Sequence, residues 1–133
     1  MAFVELVPKK IVCSYEFLVK ITFIRHKDIK GCKLTLRIRK VLADKIGIKK
    51  GDRVSFSYDE DDKRTWLIKK TDSFVSYTMG GDAKGNILTL QIAGDLIKLF
   101  ELTEDEFEAH YVRGDIYQES IRINARPIEI TSF

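Results

Sequence analysis

Lys30, Lys33, Arg37, Arg39, Lys40, Lys49, Lys50 and Arg53 crowd one short stretch of the chain, and Lys27 begins the run. Clustered ammonium and guanidinium groups neutralise phosphates and release their counterions, so this set suits contact with a nucleic-acid backbone. Strand alternation would put Arg37 and Arg39 on one outward face, where they can reach phosphates or a groove. A solvated basic face is the competing reading of the same residues. The net charge is only +3, yet it is divided unevenly. Residues 1–84 hold 19 Lys and Arg against 11 Asp and Glu, whereas residues 85–133 hold 4 against 9.

The acidic side of that division is concentrated in Glu101, Glu104, Asp105, Glu106 and Glu108. These carboxylates would repel a phosphate backbone and suit a basic protein surface, so a non-enzymatic adaptor or inhibitor is the alternative function. Asp59, Glu60, Asp61 and Asp62 are adjacent and point in different directions. They lack the alternating ligand frame of a calcium loop and read as a hairpin tip. His26 and His110 stand 84 positions apart with no partner at zinc spacing. Neither Cys13 nor Cys32 has a neighbouring histidine to activate it. Phosphate-binding glycine motifs are missing, and Gly80-Gly81-Asp82 reads as a turn. No enzyme activity, metal or cofactor is expected.

The aromatics Tyr15, Phe17, Phe23, Phe56, Tyr58, Trp66, Phe74 and Tyr77 fall in β-rich runs. Stacking on bases is one use of such residues, but most strand aromatics fill a core. Two cysteines make no disulfide framework and suit a reducing cytoplasm. No apolar run reaches the roughly 20 residues of a membrane helix. A soluble cytoplasmic protein without membrane contact is expected.

The elements that must position these residues come from a repeat. LTLRI at 34–38 returns as LTLQI at 88–92, an offset of 54 residues. Gly31 and Gly85 keep that offset, and Leu42, Ile46 and Ile48 fall on Leu96, Phe100 and Leu102. Each copy reads as a β-hairpin, a short helix and a second hairpin. Val41, Leu42 and Ile46 would face inward on the first helix, and Gly47 would end it. In the second copy Asp95 would cap a helix burying Leu96, Leu99 and Phe100. A hairpin is then expected in which Phe107, Ala109 and Tyr111 alternate and Arg113-Gly114-Asp115 turns. Thr103 with Glu106 could instead cap a helix over 104–110. Gly51 suits a positive φ, and Asp52 a tight turn. Met1–Val7 and the tail carrying Ile128 and Ile130 are candidate edge strands.

The stretch LTLRIRKVLADKIGIKKGDRVSF resembles the AbrB-type swapped-hairpin domain of transition-state regulators and MazE-like antitoxins. Ile38, Lys40, Ile46, Gly47, Ile48, Gly51, Asp52 and Val54 fall on that family's pattern. The family's helix-start proline is Arg39 here, an arginine common early in its helix is Ala43, and Glu101 with Asp105-Glu106 departs from it in the second copy. The resemblance implies hairpins interlocked into one barrel that binds DNA.

The expected fold is α+β, mainly β. Residues 1–133 would form one compact domain, with a basic repeat at 17–70 and a divergent acidic repeat at 73–126. The two ββαββ swapped-hairpin repeats would close one pseudodimeric barrel, as a monomer with pseudo-twofold symmetry or as a homodimer. The expected function is double-stranded DNA binding in transcription regulation through the basic repeat.

Overall fold

Alternating apolar residues make strands wherever glycine and acidic turns interrupt them. In the computed structural model, which describes residues 17–25 and 31–128, these are β1 (Leu18–Arg25), β2 (Cys32–Arg39), β3 (Arg53–Tyr58), β4 (Thr65–Lys70), β5 (Tyr77–Thr78), β6 (Gly80–Gly81), β7 (Ile87–Gly94), β8 (His110–Tyr117) and β9 (Ser120–Asn124). Two single-turn helices, α1 (Lys40–Asp44) and α2 (Leu96–Phe100), follow β2 and β7, and a 3-10 turn spans Glu104–Phe107. The expected mainly β architecture is present.

The strands form one antiparallel sheet in the order β5-β3-β4-β9-β8-β1-β2-β7-β6. Its outermost strands, β5 and β6, are separated in sequence by Met79 alone. The Met79 N–H donates to the Asp52 carbonyl at 2.8 Å, and the Met79 carbonyl accepts from the Gly51 N–H at 2.7 Å. Gly80 and Gly81 then pair with Thr89 and Leu88. One bent segment therefore holds both ends of the sheet, and the result is a nearly closed barrel with its edges occupied.

Gly81 sits at this seam because a Cβ there would lie 2.8 Å from the Ile87 carbonyl oxygen. Gly81→Val should lower unfolding stability by about 1–3 kcal/mol through this overpacking. Urea denaturation measures it, and a variant as stable as the parent would mean that the seam yields without cost.

The inward sets are those expected from period two: Leu34, Leu36 and Ile38 on β2, and Leu88, Leu90 and Ile92 on β7, all buried. Val19, Ile21, Phe23, Trp66, Ile68, Ile121 and Ile123 complete the interior, with Leu42 and Phe100 from the two helices. The α1 face differs from expectation. Leu42 and Ala43 are buried while Val41 is 47% exposed, because a single turn presents only two adjacent residues to the sheet. Asp95 occupies the cap position of α2 without a side-chain bond to it.

Two expected turns and one expected strand start are displaced. Arg113-Gly114-Asp115 lies inside β8, and the chain reverses at Gln118-Glu119, with Gln118 at φ 54°. Gly114 is there for close packing, since a Cβ would meet Val19 Cγ2 at 3.0 Å and Leu42 Cδ2 at 3.2 Å. Gly80-Gly81 likewise belongs to the seam, and the turn follows at residues 82–86. Phe107 is in the 3-10 turn rather than in a strand, because Thr103 and Glu106 do form a capping box. That box produces four residues of 3-10 helix, not a helix over 104–110, and the hairpin begins at His110. The tail reaches β8 through the Ile128 N–H, which donates to the Tyr111 carbonyl at 2.8 Å. Met1–Val7 and Ile130 lie outside the described residues. No helix among the described residues is long and apolar enough to cross a membrane.

Candidate nucleic-acid interface

β2 carries its cations on the outer face, where Lys33, Arg37 and Arg39 alternate with the inward apolar set and Thr35, between Lys33 and Arg37, is itself buried. Antiparallel register sets Lys20 of β1 directly opposite Arg37 and Thr89 of β7 on its other side. Like charges facing each other across a pair of strands are destabilising unless an anion lies between or above them. Arg37 is exposed and Arg39 half-buried. Lys33, flanked by Ile24 and Ala93, stands toward the opposite end of β2.

The chain leaves β2 at Arg39 and enters α1 at Lys40, so the outer basic row runs into the end of the barrel. The Lys40 N–H donates to the Asn86 carbonyl at 3.0 Å, which draws the loop between β6 and β7 against α1. After α1, Gly47 (φ 72°) and Gly51 (φ 93°) take left-handed conformations. Asp52 Oδ2 accepts from the Lys49 N–H at 2.8 Å and fixes the turn, as its sequence context suggested.

These constraints bring Lys40, Lys49, Lys50 and Lys84 around a cleft of about 370 Å³, with Asp44 its one acid. Ion pairs in which both residues are described join Arg25 to Glu104, Arg64 to Glu106, Lys70 to Asp52, Arg122 to Asp115 and Arg126 to Asp62. None of them uses a lysine of the cleft. A multiply charged anion would relieve the repulsion among these ammonium groups.

No family model, curated protein or solved structure matches the chain.

Arg53 is exposed at the start of β3, its guanidinium carbon 5.5 Å from the centroid of the Phe74 ring. Lys30 lies outside the described residues. Of the basic residues singled out from the sequence, Lys40, Lys49 and Lys50 converge on the cleft. Arg37 and Arg39 precede Lys40 along β2, Arg53 follows the Asp52 turn without lining the cleft, and Lys33 lies apart. Lys84 was missed by the sequence reading, although it follows Lys30 by the same 54 residues that separate the two pentapeptides.

A second basic group was also missed. Arg113, Arg122 and Arg126 border a cavity of about 470 Å³ with Asp62 and Asp115. Arg122 makes two bonds to Asp115, at 3.1 and 2.8 Å, and Asp115 raises the pKa of its guanidinium. The Arg126 guanidinium lies 2.7 Å from Asp62, and with the Thr65 hydroxyl it holds that carboxyl below its usual range. Two of the three arginines are thus neutralised internally, and the cavity is a poorer anion cradle than the lysine cleft.

The acidic set is split. Glu106 is buried against Arg64, at 2.5 and 2.9 Å. Glu101, Glu104, Asp105 and Glu108 are exposed, and Glu104 pairs with Arg25 at 2.6 Å. Among the described residues no three histidines, cysteines or carboxylates gather to hold a metal ion. Asp59 and Asp62 accept backbone N–H bonds from Asp61 and Arg64, which is hairpin-tip chemistry. Cys32 is buried, and that burial pushes its thiol pKa up.

Proposed function

We propose that the protein binds double-stranded DNA through the barrel end that carries Lys40, Lys49, Lys50 and Lys84, and that it acts in transcription regulation. The observation that carries this reading is a cleft of four lysines, none ion-paired among the described residues, at the end of a row containing Arg37 and Arg39. The resemblance to AbrB-type swapped-hairpin domains supports it.

The chain is further proposed to be an internal pseudodimer of two ββαββ units. The strand registers support this. Leu36 pairs with Leu90, its equivalent at the 54-residue offset. On the other side of the barrel, Leu67 pairs with Arg122 and Ile68 with Ile121, which brackets the same offset. The β1–β8 pairing has its counterpart in β5–β3. At that offset the positions of Lys40, Lys49 and Lys50 are taken by Gly94, Thr103 and Glu104. Only one end of the barrel is then equipped for phosphate, so the unit contacts DNA from one side. A protein partner at Glu101, Asp105 and Glu108 is the competing reading, favoured by their exposure.

Retardation of a 30-base-pair duplex across a salt series tests the choice. Each neutralised phosphate contributes about −0.9 to the slope of log K against log salt. Replacing Lys40, Lys49, Lys50 and Lys84 together with glutamine should flatten that slope by about 3 to 4. Failure of the parent protein to bind at low salt, or an unchanged slope in the variant, rejects the DNA reading.

A further inference from the structure

Phe74 and Val75 are 93% and 92% exposed, whereas every other exposed large apolar side chain among the described residues is at 50% or less. Single exposed apolar residues are ordinary, but an adjacent pair held almost wholly in water forgoes the stabilisation that burial would give. The pair is presented by a hydrogen-bonded loop. The Thr71 N–H donates to the Arg53 carbonyl at 2.9 Å, and the Ser73 N–H to Thr71 Oγ1 at 3.2 Å. The Val75 N–H donates to Ser73 Oγ at 3.2 Å, and the Ser76 hydroxyl to the Ser73 carbonyl at 2.7 Å.

Cations surround this tip. Arg53 lies against the Phe74 ring, and Lys69 and Lys70 are exposed where β4 enters the loop, with Asp72 the loop's one acid. The same Asp52 carboxylate that accepts from the Lys49 N–H lies 3.5 Å from Lys70 Nζ, so the start of this loop is tied to the turn that carries Lys49. An apolar tip inside a basic border fits an occupant with apolar material between anionic rows. Stacked base pairs between two phosphate strands have that arrangement. An anionic bilayer has it too, but stable anchoring there takes a basic patch together with a full acyl chain, and a Phe–Val pair buries less than one chain.

We propose that Phe74 and Val75 act as a wedge that enters between adjacent base pairs of duplex DNA and kinks it. The wedge rests on the DNA reading above. Insertion partly unstacks one step, and flexible pyrimidine–purine steps yield most readily.

The test uses the full chain and a duplex with a central TA step, 2-aminopurine beside that step, and a donor–acceptor pair at its ends. At saturation the parent protein should raise 2-aminopurine emission and shorten the end-to-end distance. Phe74→Ser with Val75→Ser should keep the salt slope, lose both signals and bind about tenfold more weakly. The variant keeps its fold because both side chains are outside the core. Saturable binding with neither signal removes the wedge and leaves the cationic surface standing. No duplex binding at low salt removes both. Phe74-dependent sedimentation with phosphatidylserine vesicles, with DNA unbound, assigns the tip to lipid and overturns the wedge.

Discussion

Replacing Trp66 with alanine should lower unfolding stability by about 3–5 kcal/mol, the range for truncating a large buried aromatic side chain. Trp66 is completely buried, with its ring centroid 5.4 Å from Phe56, 5.0 Å from Phe100 and 6.5 Å from Phe23. Its indole N–H donates to the Lys63 carbonyl at 2.9 Å. Phe100 comes from α2, so the contact ties the front of the chain to the back. Truncation opens a cavity that a barrel bounded by paired strands has little freedom to close. Trp66→Phe should cost less, because a ring remains and only the N–H and part of the volume are lost. Trp66 is the sole tryptophan, so far-ultraviolet circular dichroism in urea is the appropriate readout. A loss under about 1 kcal/mol for the alanine variant would mean that the neighbouring rings refill the space.

Strands were legible wherever one face is buried and the other wet. Leu34, Leu36 and Ile38 alternate with Lys33 and Arg37, and the structure keeps that division, although Thr35 on the outward side is itself buried. Glycine was legible where it needs a positive φ, as at Gly47 and Gly51. It misled where its role is tertiary. Gly114 is small because Val19 and Leu42 press on it, and Gly81 because a neighbouring strand does. Sequence marks a missing Cβ but says nothing of what occupies its place. The barrel seam at Met79 was hidden for a related reason. Two strands of two residues each leave no periodicity to detect, and they exist because flanking strands supply partners.

The candidate site was half legible. Lys40, Lys49 and Lys50 were marked by local charge density, but Lys84 joins them only because the Lys40 N–H meets Asn86. Glu106 was grouped with its acidic neighbours, yet it alone turns inward, where Arg64 waits 42 positions away in sequence. Phe74 was grouped with the core aromatics because it sits in a β-rich run. Between the end of β4 at Lys70 and the start of β5 at Tyr77, however, no strand pairs it, and it is left in water.

Glu106→Gln should lower stability by about 2–4 kcal/mol near pH 7, because breaking a buried pair strands the other charge. The Glu106 and Arg64 side chains are only 9% and 18% exposed, so solvent screens the pair little. The carboxylate also accepts from the Thr103 N–H at 3.4 Å, and Arg64 donates to the Ala125 carbonyl at 3.3 Å. Burial pushes the Glu106 carboxyl up, but the hydrogen bonds and charge of Arg64, aided by Thr103, outweigh it and hold the pKa below its usual 4.5. A folded-state pKa depressed below the unfolded one means that the unfolded chain binds the proton more tightly in this range. The stabilisation is therefore complete above about pH 4.5 and is lost as the pH falls through the folded value. Denaturation from pH 7 down to pH 3 should then show the parent and Glu106→Gln curves converging in acid. A gap that stays constant with pH would show that glutamine costs packing rather than charge. Glu106→Leu with Arg64→Met separates the two causes, since removing both ions together should restore much of the stability that either single change loses.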